Sequence, residues 1–420
     1  MKFKKAHVWI TLINFFIIFS ILLQLQISTP KYKNEYSNDT KVTEYVASLA
    51  ALRHPVFSRS VNVSSPDFTY INIVLVLIHK TKEKQKVQHF LLNMKKTLNS
   101  LLTHSSGIPL HFVIITSKSS IKLFGHFFAR NIAKKVSETV IESVHWKWKR
   151  FHGFPMLKIS FVDIKEVINT NKPFFKALKQ NGVGGSSTKY GADLFYISPL
   201  LHLAFPSLDK LIMIDSSDIE FFSDIKLLQD EFKKMASELI GIGLDLSPHY
   251  RAMLEQSGYI AAHPSTELGL PGRFQGLNMG VVLFNLDRMR SSKVYNSHLN
   301  SKMVSVLNKS YKYEMTLAHQ DWFTNLQWSL PSLFYILPCK FNTQTSVQYF
   351  RPPWEPVFSE YHHCGARSST LIIHRNGCGP NPSACGYNIQ PDNKFWTQHT
   401  LDLDVPMFFQ AMAAINNKQG

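Results

Sequence analysis

The sequence predicts an α/β fold: a mostly parallel sheet with helices on both faces, carried behind one N-terminal transmembrane helix. The sheet is read from continuous apolar runs at Tyr70 to His79, Leu110 to Thr116, Leu157 to Ile164, Lys210 to Asp215 and Leu277 to Leu286. None alternates as a half-exposed strand would, so each suits a strand buried on both faces. The helices are read from the spacing between those runs, most clearly Val87, Leu91, Met94, Leu98 and Leu101, with "ADLFYISPLLHLAF" (192–205) as a later helix-like stretch. The membrane helix is read from Val8 to Ile27, which holds no Asp, Glu, Lys or Arg and has about the 20 residues needed to cross a bilayer.

Taken in order, residues 1–6 form a short cytosolic tail, 7–28 the anchor, 29–67 a polar stem with Pro30, Pro55 and Pro66, 68–400 one α/β domain and 401–420 a C-terminal tail. No small-residue cleavage pattern follows the apolar stretch, which favours an anchor over a removable signal peptide. Lys2, Lys4 and Lys5 precede it, so the positive-inside rule keeps the amino terminus cytosolic and predicts a type II protein with its domain in the lumen of the endoplasmic reticulum or Golgi. The chain is basic, 46 Lys and Arg against 29 Asp and Glu for a net charge of +17, which favours anionic partners. A lumenal address excludes nucleic acid and leaves phosphorylated small molecules.

Sequons at Asn38, Asn62 and Asn308 agree with that compartment. Cys339, Cys364, Cys378 and Cys385 are spaced by 25, 14 and 7 residues, without the close pairs of a structural zinc site. Two disulfides, in any of three connectivities, are expected. "VHWKWKRFHGF" (144–154) interleaves aromatic and basic residues; a solvated strand edge accounts for it more simply than a sugar-binding surface.

Candidate chemistry begins at "LIMIDSSDIEFF", where Asp215 and Asp218 bracket Ser216 and Ser217 at the end of an apolar run. In open α/β sheets ligands gather at the carboxyl ends of strands, and closely set oxygen ligands suit a divalent cation bridging to a diphosphate. Capping of the following turn would use the same residue types. Gly276 and Asn278 of "GLNMGVVLFNL" lie in a turn leading into a buried run, where the amide could bond a sugar hydroxyl and the glycine would let backbone approach a ligand; an ordinary polar turn would use the same residues. "AHQDWF" places His319, Gln320 and Asp321 at a helix start, and His374 ends the short run "TLIIH", where an imidazole suits manganese.

In this order the pieces resemble the family-8 retaining glycosyltransferases, the glycogenin-like group, and within it the xylosyl-transferring branch. "LLTHSSGIPLHFVIIT", "HQDWFTNLQWSLPSLFYILPCKFNTQ", "VFSEYHHC" and "IIHRNGC" carry the resemblance, which covers roughly residues 70 to 385. It implies a GT-A nucleotide-sugar-binding fold, Rossmann-like, and transfer of xylose from UDP-xylose with retention onto a xylosyl-glucose glycan on EGF-like repeats. Mn²⁺ is the implied cofactor, with Mg²⁺ as the alternative. It makes Asp218 and His374 metal ligands with Asp215 or Ser216 as a third, Asn278 a contact to the donor sugar, and Gln320 and Asp321 neighbours of the reacting carbon. Asp215, Ser216, Gly280 and His319 fall in the implied donor site.

Three positions depart from the family pattern. Ser216 stands at the first Asp of the Asp-x-Asp motif with Asp215 one residue early, His319 replaces the first Asp of Asp-Gln-Asp, and "HRNGC" is one residue longer than His-Gly-Asn-Cys. A one-residue slip at a strand end turns a side chain to the other face, so Asp215 is expected at the ion only if the loop bulges. The departures keep open a relative that binds a nucleotide sugar or glycoprotein without transfer, and a transferase using another UDP-sugar. A glycoside hydrolase would need two carboxyls flanking a cleft.

Overall fold

The computed structural model describes residues 70–77, 84–105, 108–133, 136, 139–142, 147–150, 156–181, 192–264, 268, 274–344, 356–357, 361 and 370–376. The expected anchor, stem and C-terminal tail, with Cys364, Cys378, Cys385, Asn38 and Asn62, lie outside them. Among the described residues no helix is long and apolar enough to cross a membrane.

The first half of the domain alternates strand and helix: β1 (Ile71–Leu77), α1 (Lys84–His104), β2 (Leu110–Thr116), α2 (Ile121–Asn131), the hairpin β3 (Thr139–Glu142) and β4 (Lys147–Arg150), then β5 (Leu157–Asp163), α3 (Ile164–Thr170) and α4 (Lys172–Asn181). The second half adds β6 (Lys210–Ile214), β7 (Ile219–Phe221), β8 (Ile240–Leu244), α5 (His249–Gln256), β9 (Leu277–Asn285), α6 (Ser301–Tyr311), α7 (His319–Ser329), β10 (Phe334–Ile336), β11 (Thr343–Gln344) and β12 (Ile372–His374). Nine strands form the main sheet in the order β10-β8-β9-β6-β1-β2-β5-β3-β4, and β11-β12-β7 form a second, small sheet. β1 pairs in parallel with β2 and β6, β2 with β5, and β5 with β3; β9 runs antiparallel to both β6 and β8.

The absence of alternation in the strand sequences is explained by the two cores they separate. Val74, Val113 and Ile115 point to the face covered by α3, α4 and α7, while Ile73, Leu75, Phe112 and Ile114 point to the face covered by α1 and α2. Both residue sets must be apolar because both faces are dry. α7 is buried almost all round, its Trp322 ring lying 5.4 Å edge-on from Phe174 of α4, so a functional group at its start is held on a rigid element.

The stretch 192–205 is not the continuous helix its composition suggested. It forms two 3₁₀ turns, Asp193–Tyr196 and Ser198–Leu200, before a single turn Leu201–Ala204, because Pro199 can donate no backbone hydrogen bond and resists a preceding helical residue. Within the basic aromatic stretch, Lys147–Arg150 form β4, the edge strand at the end of the sheet away from β6.

Chain order puts the functional edge at one place. From β1 the chain steps to β2, passes to the outer hairpin β3–β4, comes back to β5 between β2 and β3, and then crosses to β6 on the other side of β1, so the β1/β6 boundary is the point where strand order reverses, the place where ligand crevices open at the carboxyl ends of such sheets. Because β9 runs the other way, its amino-terminal residues reach that same edge: Ile214 of β6 pairs with Val281 of β9.

Gly276, just before β9, tests how tightly the support under this edge is packed. A Cβ there would lie 2.1 Å from the ring of Tyr250, which is buried edge-on against Trp328 and Tyr313. The ring has nowhere to move, so Gly276→Ala should destabilise the domain by about 1–3 kcal/mol, read as a lower Tm in thermal unfolding; an unchanged Tm would show that the Tyr250 packing yields.

Candidate active site

The acidic turn is built by two pairings. β6 ends at Ile214, yet the Asp215 N–H still donates to the Gly280 carbonyl at 2.9 Å, which extends the antiparallel pairing by one residue and fixes the start of the turn. Asp215 Oδ1 then accepts the Ser217 N–H at 3.4 Å, curling the carboxylate back over the turn, with Ser216 buried beneath. The far end is fixed by the small sheet: the Arg375 N–H donates to the Asp218 carbonyl at 2.8 Å, and His374 of β12 pairs with Ile219 of β7. The Arg375 guanidinium pairs with Glu220 from the same strand.

These pairings set His374 Nε2 3.9 Å from Asp218 Oδ1, and ligand atoms of Asp215, Asp218 and His374 all lie within 4.8 Å of one another. The displaced Asp215 thus joins the cluster, and the tight turn supplies the bend that its one-residue slip required. Asp215 is exposed at the turn. The loss of water on its protein side, and then the charge of Asp218, push its carboxyl pKa up, while His374 opposes the shift. Two carboxylates held this close repel unless a cation lies between them. With two oxygens and one imidazole nitrogen the donor set fits a divalent ion of the manganese or magnesium kind.

Gly280 and Asn278 complete the support on β9. A Cβ on Gly280 would fall 2.1 Å from His374 Nδ1, so the imidazole occupies the space that a side chain would fill. The Asn278 side-chain oxygen accepts the Gly280 N–H and the Asn342 Nδ2–H, each at 3.0 Å, and lies 3.0 Å from His374 Nδ1. Asn278 was expected to contact a sugar; its side-chain oxygen is turned to the histidine.

The residues at the start of α7 divide. Gln320 Oε1 accepts the Met279 N–H at 3.1 Å, and its Nε2 donates to Asp245 Oδ2 at 3.3 Å, so the carboxamide is oriented beside β9. Asp321 is fully buried, accepting from the Tyr250 hydroxyl at 2.8 Å and the Leu317 N–H at 2.5 Å, and burial raises its pKa to about 7. It clamps the turn in which Ala318 adopts φ +58°, a strained conformation for a residue with a side chain. His319 turns to Ser198, whose Oγ lies 2.7 Å from Nδ1, and burial lowers its pKa to about 3, so it stays neutral.

Two residues at the site were missed from the sequence. Asp245 follows β8 as Asp215 follows β6; it is buried, accepts the Ser247 N–H at 2.9 Å, and burial raises its pKa to about 6. Its strand, "IGIGL", was not recognised, although the strand-end rule applied to Asp215 would have found the carboxylate. Asn342 contacts both Asn278 and His374 from the irregular segment after Cys339, and no local periodicity marks it. Cys339 itself is disulfide-bonded.

Known proteins resemble this chain in sequence and in fold. The chain is 29% identical over 261 residues to xyloside xylosyltransferase 1 of Homo sapiens and 28% identical to that of Mus musculus, each match covering 61% of this chain and 64% of the relative. It thus spans just under two thirds of those relatives' length. It is also 28% identical over 255 residues to the xylosyl- and glucuronyltransferase LARGE2s of Gallus gallus, over 59% of this chain and 28% of that protein. The crystal structure of mouse xyloside xylosyltransferase 1 in its apo form superposes with a TM-score of 0.60 at 22% identity, covering 74% of this chain and 100% of that one, which shows the same fold. The glycosyl transferase family 8 profile matches residues 85–378, well over half of the 420, and the chain belongs to that family.

Proposed function

We propose that this glycosyltransferase moves xylose from UDP-xylose, with retention, onto a xylosyl-glucose glycan on EGF-like repeats, assisted by Mn²⁺ or, as the alternative, Mg²⁺. It would act in the lumen of the endoplasmic reticulum or Golgi behind its N-terminal anchor. The observation that carries the reading is the convergence of Asp215, Asp218 and His374 at the strand-order reversal of a family 8 chain. The relatives named for xylosyl transfer favour xylose as the donor sugar, and those also named for glucuronyl transfer make UDP-glucuronate the first alternative.

Asp215, Asp218 and His374 would hold the ion, which when bound supplies Lewis-acid neutralisation of the charge developing on the leaving diphosphate. The other carboxylates that the described structure brings to this edge, Asp245 and Asp321, are buried and hydrogen-bonded, which supports a single displacement without a carboxylate nucleophile. The bond from the anomeric carbon to the diphosphate oxygen breaks while the acceptor oxygen bonds that carbon from the same face, its proton passing to a phosphate oxygen. Gln320, held at both ends of its carboxamide, positions rather than attacks.

A second reading, a relative that binds a nucleotide sugar without transfer, draws support from Ser216 and from His319, whose neutral ring faces Ser198 and cannot replace a carboxylate.

Purified full-length chain in detergent should release UDP from UDP-xylose only with both a xylosyl-glucosyl acceptor and Mn²⁺, and chelation should abolish release. Donor binding with no release in any combination would favour the silent relative, and release from UDP-glucuronate alone would change the donor. Asp218→Ala should lower kcat/KM on the order of 10²-fold or more while leaving Tm near that of the parent. Gly280→Ala should also lose metal-dependent turnover, because the added methyl group would displace His374; parental kcat would show that His374 is dispensable.

A further inference from the structure

The hydrogen bonds around His374 fix which of its ring nitrogens carries the proton. The Gly280 N–H is a backbone donor that cannot be reversed, and its 3.0 Å contact identifies the Asn278 atom beside it as the carboxamide oxygen. Asn342 must then present its NH₂ group to that oxygen, at 3.0 Å, which turns its own oxygen to His374 Nδ1 at 3.1 Å. Nδ1 therefore faces two acceptors, the oxygens of Asn278 and Asn342, and bonds either one only as N–H. In the neutral ring this leaves Nε2 unprotonated, and Nε2 is the nitrogen on the Asp218 side.

Backbone geometry makes the arrangement rigid. Asn342 follows the 3₁₀ turn Cys339–Phe341, its N–H donates to the Cys339 carbonyl at 2.9 Å, and it leads into β11, where Gln344 pairs in register with His374. A register shift in β8 between Ile242 and Gly243 puts Gly243 opposite Asn278. Asn342 Nδ2 lies only 3.3 Å from where a Gly243 Cβ would be. Two glycines, Gly243 and Gly280, thus make room for the amide and for the ring it holds.

We propose that Asn342 is a positioning residue which, with Asn278, locks His374 in the Nδ1–H tautomer and so presents the Nε2 lone pair to a divalent cation shared with Asp215 and Asp218. The inference rests on the metal reading of that cluster. The opposite tautomer would aim an N–H at the cation and offer it no lone pair. Partners of this kind on ligating histidines typically change metal affinity by about 10–100-fold.

The test is Mn²⁺ binding to full-length chain in detergent, followed by the EPR signal of free Mn²⁺, for the parent, Asn342→Leu, Asn342→Asp and His374→Gln, and for Asn342→Leu combined with His374→Gln. Asn342→Leu should bind about 10–100-fold more weakly. Asn342→Asp, whose carboxylate still accepts from Nδ1–H, should stay within a few-fold of the parent. In the His374→Gln background the leucine change should add nothing. Parental affinity in Asn342→Leu, or an equal loss with and without His374, overturns the proposal. Should the leucine variant fail to fold, ¹⁵N-histidine spectra of the metal-free parent, with His374 assigned by its loss in His374→Gln, decide directly: a protonated Nδ1 supports the lock and a protonated Nε2 overturns it. No Mn²⁺ uptake by the parent overturns the metal reading, and the proposal with it, while the spectra still report the tautomer separately.

Discussion

The missing side chain at Gly280 is the constraint on which the site depends. Its N–H orients Asn278, its carbonyl holds the Asp215 backbone, and the space above its Cα is filled by the His374 ring. Any β-carbon at this position would meet the imidazole at 2.1 Å, far inside contact distance. Because the competing atoms belong to a buried ring in a paired strand rather than to a flexible chain end, relief would require moving β12, and with it the pairing that sets Asp218.

That geometry explains why residues separated by some 160 positions form one cluster. β6 brings Asp215 to the carboxyl edge, and β9 must run against it for Gly280 to arrive beside Asp215. β7 and β12 then pair antiparallel, so the carboxyl end of β12 meets the amino end of β7, where Asp218 lies. The small sheet acts as a clasp that closes the late part of the chain onto the acidic turn. α7, wedged between the sheet and α4 by Trp322, holds Gln320 at the same edge through the Met279 N–H.

What could be read from the sequence follows from the same physics. Buried strands announce themselves because both faces are dry, so β1, β2, β5, β6 and β9 were legible as continuous apolar runs, and a carboxylate pair at the end of one was legible as a candidate ion site. The direction of β9 was not, because an apolar run has no polarity. β8 escaped notice because its alternating glycines, Gly241 and Gly243, dilute its hydrophobic signal, and Asp245 was lost with it. The run 192–205 looked helical until Pro199 is weighed. Asn278 was recognised as a functional type but given a ligand to hold. The groups its oxygen meets come from β12 and from the segment after Cys339, which no local pattern could join to it. The place of Asp215 depended on an Asx turn in which its own carboxylate accepts the Ser217 N–H, and in the sequence that turn looks the same as a cap.

The two replaced carboxylates have different physical consequences. At Ser216 the loss is offset by position, since Asp215 takes part in the cluster through the turn, and the number of oxygen ligands near His374 is preserved. At His319 it is not: the ring faces Ser198, burial keeps it neutral, and Asp321 two residues on is committed to Tyr250 and the strained turn at Ala318. The edge beside Gln320 therefore carries one negative charge fewer than the family pattern would place there; the Gln320 amide bonds Asp245, and burial raises that group's pKa to about 6. Under the proposed transfer, a less negative edge beside Gln320 would give less stabilisation to positive charge developing at the anomeric carbon, while repelling the anionic diphosphate less. On that reading the substitution at His319 would bear on the rate of glycosidic cleavage, whereas the one at Ser216 would bear on how an ion is held.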